Sequence, residues 1–164
     1  MNQPTAYDDA VDLLDADHKA VKKMFITHAA LCDDDAPSTA KRDIAQRICQ
    51  ALTIHSQIEE EIFYPAVREA IGDDALMDEA LHEHAEAKAL IAHIGSFKSA
   101  DAAHDTAVKQ LGKVVDQHVL EEREQIFLRA RQSPLDLRGL ALTLLKRQKQ
   151  LKKKGASLPA KEVA

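Results

Sequence analysis

Two stretches of the chain, HSQIEEEIFYP beginning at His55 and HVLEEREQIFL beginning at His118, share a histidine, a glutamate four positions on, a second glutamate six positions on and an apolar-aromatic finish. A spacing of four puts imidazole and carboxylate on one helical face, so His55 with Glu59 and His118 with Glu122 can each address one point. His18 and His84 sit in the middle of two further apolar stripes. Inward glutamates are strongly destabilising unless protonated or paired with a cation, and near this level the sequence offers only Lys88 and Arg129. A metal is the expected partner. Four imidazoles and two carboxylates exceed the four ligands of a structural zinc, which points to two ions. Nitrogen and oxygen donors without thiolate suit iron or manganese and leave zinc open. Two octahedral ions have about 12 positions; four histidines, two bridging carboxylates and a bridging oxygen leave about two free. Dioxygen, peroxide, nitric oxide or water can occupy such positions.

Long amphipathic helices must position these groups. Thr5 and Asp8 form a plausible cap for a helix over about 6–32, whose stripe is Val11, Leu14, His18, Val21, Phe25 and Leu31 or Cys32. The DDDAPS segment stops it, because Pro37 disfavours helix at Ala36. Ser38 or Thr39 can cap a second helix reaching Gly72, with a kink or a local break expected at Pro65. A third runs from Asp73-Asp74 and fades over Gly95 to Ser99, and a fourth spans about Asp105 to Gln132. With 1.5 Å of rise per residue and alternating directions, the six donors fall in a slab about 9 Å thick. The expected fold is all-α: an up-down-up-down four-helix bundle over residues 1–134, with an additional short C-terminal helix in a Leu-rich, basic and partly disordered segment, residues 135–164. Leu137, Leu140, Leu144 and Leu151 recur there at near-heptad spacing, and packing on the same bundle is the simplest use for them.

Composition narrows the function classes. Forty-five per cent of the 164 residues are hydrophobic and only 5 are Gly and 5 Pro, against disorder or a turn-rich β fold. Two cysteines and no CxxC exclude a disulfide framework and argue against a cysteine-ligated cluster. No signal-like start and no run of about 18 apolar residues is present, so a cytoplasmic protein is expected. The formal charge is -5, but eight Lys/Arg stand against two Asp/Glu from residue 135 onward, which leaves residues 1–134 strongly acidic. That body suits cations and is not expected to bind nucleic acid; residues 135–154 could meet an acidic partner or a second copy of the chain.

The set His18, His55xxxGlu59, His84 and His118xxxGlu122, with EEEIFYP after the second histidine, resembles the hemerythrin-like (HHE cation-binding) family over about residues 10–132. The resemblance implies two iron ions joined by an oxo or hydroxo group, with Glu59 and Glu122 bridging and the four histidines terminal. It departs from the oxygen carriers of that family. They have a second histidine on the third helix, where Ala80 and Lys88 flank His84 here, and an aspartate where Arg123 stands. The cysteine motif of the family's iron-centre repair proteins is also absent. The expected role is binding of dioxygen, nitric oxide or hydrogen peroxide in sensing, storage or stress response. A catalase-like enzyme that disproportionates peroxide is the alternative, and a zinc or metal-free structural module the second.

Other candidates are set aside. His82 shares a face with Asp78, Glu79 and Glu86; His93 and His104 read as surface residues; His28 reads as a core or rim histidine about 15 Å from His18. Glu60, Glu61 and Glu121 read as solvated charges, and Tyr64 as a packing residue off the ligand face.

Overall fold

Aspartate caps set where three of the long helices begin, whereas the second follows Pro37 with no side-chain cap, so neither Ser38 nor Thr39 plays the capping role expected of it. The computed structural model describes residues 8–157. α1, Ala10–Asp33, starts where Asp9 accepts a hydrogen bond from the Asp12 N–H at 2.8 Å; it begins later than the sequence suggests, and Thr5 lies outside the described residues. α2, Ser38–Ile58, continues through a π-helical segment, Glu59–Phe63, into α3, Tyr64–Ile71. This π segment lies just ahead of Pro65, where a kink or local break is expected because proline has no N–H for the preceding turn. A second π segment, Glu122–Phe127, forms with Leu128 in the equivalent place, so the distortion does not depend on proline. Gly72 ends α3 at φ +65°, the left-handed conformation glycine adopts without strain.

α4, Asp74–Gly95, is capped by Asp73, which accepts from Leu76 N–H at 3.1 Å. α5, Ala102–Glu121, is capped by Asp101 through the N–H groups of Ala103 and His104, three residues ahead of the expected start. The second π segment follows, then α6, Leu128–Gln132. The two π segments begin at the two glutamates of the HxxxE pairs.

These elements form an up-down-up-down four-helix bundle, and α7, Leu137–Ser157, is the additional helix, packed on α1, α2 and the first π segment. Leu144 and Leu151 are buried against the bundle and Leu137 and Leu140 half-buried, as their spacing requires. The core has two apolar parts. One gathers Leu13, Leu14, Ile58, Phe63, Met77 and Ile126; the other gathers Val21, Ile48, Leu52, Ile94, Val108 and Leu111. His18 lies between Leu14 and Val21 along α1, and His55 between Leu52 and Ile58 along α2, so the polar slab is held between two dry layers.

Candidate metal centre

The six donors predicted from spacing converge. His18, His55, Glu59, His84, His118 and Glu122 are all buried, the two glutamates at 0% and 1% exposure. Their ligand atoms form two sets, His18/His55/Glu59/Glu122 and His84/His118/Glu59/Glu122, that share both carboxylates. Glu59 Oε1 lies 3.1 Å from Nε2 of His55 and 3.1 Å from Nε2 of His84. Glu122 Oε1 lies 3.1 Å from His18 Nε2, and its Oε2 lies 3.5 Å from His118 Nε2. Each glutamate therefore touches one histidine of each set.

The outer nitrogens explain the orientation. His55 Nδ1 pairs with Asp17 at 3.0 Å, His84 Nδ1 with Glu60 at 2.8 Å, His118 Nδ1 with Glu83 at 2.8 Å, and His18 Nδ1 with Asp15 at 3.4 Å. A carboxylate at Nδ1 fixes the tautomer and turns the Nε2 lone pair inward. These four acids have supports of their own. Asp15 accepts from Arg123 at 2.6 Å, Asp17 from Gln148 of α7 at 3.1 Å, and Glu60 from Lys88 at 2.7 Å. Glu83 shares a hydrogen bond with Glu121; burial first and that neighbour second push its carboxyl up to about 7.

Electrostatics in the slab are strongly coupled. Burial disfavours a charged His55, yet Glu59 and Asp17 hold its pKa well above the ordinary imidazole value. Burial likewise opposes charge on His118, which Glu122, Glu59 and Glu83 raise to about 10. Glu122 is held well below the usual carboxylate range by His118 and His18 against its own desolvation. The cluster thus attracts positive charge, and the lysine and arginine near this level do not supply it. Lys88 binds Glu60 from the outside, and Arg129 bonds Asp73 at 2.6 Å.

A metal fits this donor set. Both oxygens of Glu59 and Oε1 of Glu122 are buried without a hydrogen-bond partner. The inward nitrogens face one another at 3.1 Å for His18 and His55 and 3.2 Å for His84 and His118. Facing lone pairs repel unless a proton or cation lies between them. Two nitrogens at right angles on one ion, each about 2.1 Å from it, stand about 3.0 Å apart, close to both observed separations.

Tyr64 corrects the sequence reading. Its side chain is buried inside the slab, its hydroxyl donates to Glu122 Oε2, and Oη lies 3.2 Å from His84 Nε2 and 3.3 Å from His118 Nε2. Burial and the Glu122 and Glu59 carboxylates raise its pKa well above the phenol value, so the proton stays on oxygen. At the equivalent position of the second repeat stands Phe127, stacked on His18 with ring centroids 5.7 Å apart. One half of the cluster carries a phenol where the other carries a phenyl. His104 is a second correction: it is buried at 3% exposure, because α5 begins early enough to turn its first coil into the bundle. Glu60 and Glu121 are members of the hydrogen-bonded shell rather than free surface charges, and Glu61 pairs with Arg147 of α7 at 2.8 Å. His82 and His93 are exposed, as expected.

A cavity of about 30 Å³ adjoins the histidines, lined also by Leu52, Ser56, Glu83, Ala87, Val114, Val115 and Val119. A single water needs roughly 10–15 Å³, so the space is small, with room for about two waters.

A helical bundle with a His/Glu cluster at its centre defines a class of proteins able to bind metal in their core. The sequence matches the hemerythrin HHE cation binding domain over residues 9–130, and the chain belongs to that family. A DNA nickase of Nostoc sp. strain PCC 7120 is 29% identical over 116 residues, 71% of this chain and 32% of that protein, so most of the nickase lies outside the match. The crystal structure of a hemerythrin HHE cation binding domain-containing protein from Mycobacterium kansasii is similar with a TM-score of 0.71 at 18% identity, covering 89% of this chain and 88% of that one. It shares the fold. Among the described residues no helix is long and apolar enough to cross a membrane.

Proposed function

We propose that the chain is a non-haem di-iron protein that binds a small exogenous ligand, dioxygen, nitric oxide or hydrogen peroxide, in sensing, storage or the response to oxidative or nitrosative stress. The observation that carries the reading is the convergence of four imidazole nitrogens on three unpartnered, fully buried carboxylate oxygens. His18 and His55 would hold one ion, His84 and His118 the other, and Glu59 and Glu122 both. Two irons there would supply reversible redox change and Lewis acidity toward a ligand in the open positions. The protein's own contribution is to hold Nδ1 of each histidine on a carboxylate so that Nε2 faces the centre, to wall the cavity with valine, leucine and alanine, and to place the Tyr64 proton beside Glu122.

A second reading, disproportionation of two hydrogen peroxide molecules to dioxygen and two waters, is favoured by Tyr64, a proton donor inside the cluster. One experiment separates the two. The chain is loaded anaerobically with ferrous iron, its iron content and visible absorption are followed on exposure to air, and oxygen release is then measured after peroxide addition. About two irons per chain and a stable spectral adduct without turnover support the binding protein. Sustained oxygen release that is lost in His118→Ala and Glu122→Ala supports the enzyme. No iron, or one zinc per chain, rejects both.

A further inference from the structure

A second group of metal-binding side chains lies at another level of the bundle. His28 and Cys32 stand four apart near the C-terminal end of α1, on one face. Asp105 reaches them from the first turn of α5. One ligand atom from each of the three lies within 4.8 Å of the other two. Cys32 Sγ is 3.8 Å from the His28 ring nitrogens, and His28 Nε2 is 3.9 Å from Asp105 Oδ1. His28 is ten residues from His18 along α1, about 15 Å at helical rise, so this group is separate from the carboxylate-bridged cluster.

Its polar atoms are incompletely satisfied. His28 is 1% exposed, and its neighbours are the Cys32 thiol, a weak sulfur contact at 3.8 Å, and a carboxylate oxygen at 3.9 Å. That oxygen, Asp105 Oδ1, is buried without a hydrogen-bond partner, although Lys41 holds the other oxygen, Oδ2, at 2.9 Å. Nδ1 of His104, 3% exposed and packed beside His28 with ring centroids 6.4 Å apart, is buried without a partner too. A folded core leaves few such groups unpaired, and here two adjoin one thiol and one imidazole.

We propose that His28, Cys32 and Asp105 form a zinc site that ties the end of α1 to the start of α5. One nitrogen, one sulfur and one carboxylate oxygen are zinc's preferred donors, and three protein ligands leave a fourth position for water. The thiolate separates this site chemically from the all-nitrogen-and-oxygen cluster and disfavours magnesium or calcium. Tetrahedral zinc would set sulfur and nitrogen about 3.5 Å apart, a few tenths of an ångström less than the present separation. Burial lowers the pKa of His28, which keeps its imidazole neutral and available as a ligand, while burial and Asp105 raise that of Cys32, so that binding the metal must displace the thiol proton.

The test uses cobalt(II) as a spectroscopic substitute on the metal-stripped full chain under anaerobic conditions. An intense near-ultraviolet sulfur-to-cobalt charge-transfer band is expected, displaced by zinc. It should persist in His118→Ala and Cys49→Ser, disappear in Cys32→Ser, and need at least tenfold more cobalt in Asp105→Asn. Absence of the band in the wild type, or its survival in Cys32→Ser, overturns the site. A measurement on unsubstituted protein guards against a folding defect in the variants: zinc should slow alkylation of Cys32 and leave that of Cys49 unchanged. Equal alkylation of Cys32 with and without zinc also overturns the proposal.

Discussion

Each inward imidazole is aimed by a carboxylate that never touches the centre, so the affinity of the site should depend on residues outside it. Asp17→Ala and Glu60→Ala are expected to weaken metal binding 10–100-fold with little change in helix content, read by competition with a chromophoric chelator. Tyr64 makes a different prediction. It occupies one half of the cluster while Phe127 occupies the equivalent place in the other, so Tyr64→Phe should make the halves alike. Iron content should hold, while the spectrum of the nitric oxide adduct changes; an identical spectrum would deny Tyr64 any place beside the ligand. The convergence of the six central residues was legible because HxxxE repeats and stripe positions survive as simple periodicity. Tyr64 was not. Five residues along an α-helix turn a side chain about 140° away from Glu59, whereas i→i+5 bonding in the π segment returns position five to the same face. The aligned repeat carried the signal, since Tyr64 and Phe127 stand at the same offset from His55 and His118.

At the scale of elements, paired π segments at Glu59 and Glu122 and aspartate caps at helix starts define the geometry. Asp73 serves twice, capping α4 and receiving Arg129 from α6. That arginine, with the Leu76 N–H, lowers the carboxyl pKa below 3.8. A group depressed on folding stabilises the native state above its unfolded pKa and loses that contribution as pH falls through its folded value. The stability gap between the wild type and Asp73→Asn should therefore be full above about pH 4 and close below it; a pH-independent gap in urea melts would refute the ion pair's role. Helix count and order were readable from apolar spacing, and ends less so. Asp9 and Asp101 compete with Thr5, Asp8 and the residues after Asp101 as possible starts, and only the acceptor geometry selects among them. His104 was misplaced for that reason.

For the molecule as a whole, the centre is a charged slab between two apolar layers, a costly arrangement without a cation. Metal at 1,000 times its dissociation constant adds about 4 kcal/mol to stability, which for a domain of this size corresponds to roughly 10 °C in melting temperature. Chelation should lower the calorimetric midpoint by that order, and an unchanged midpoint would mean that metal is not held there. The family was legible from the six donors, and the docking of α7 from its leucines, but not the polar member of that stripe. Gln148 lies among Leu144 and Leu151, is buried, and donates to Asp17, which orients His55. The C-terminal helix is therefore tied to His55 of the central cluster as well as to the core. Coupling of this kind is reciprocal: an ion at His55 would tighten the grip on α7, and peeling α7 away would loosen an ion held there.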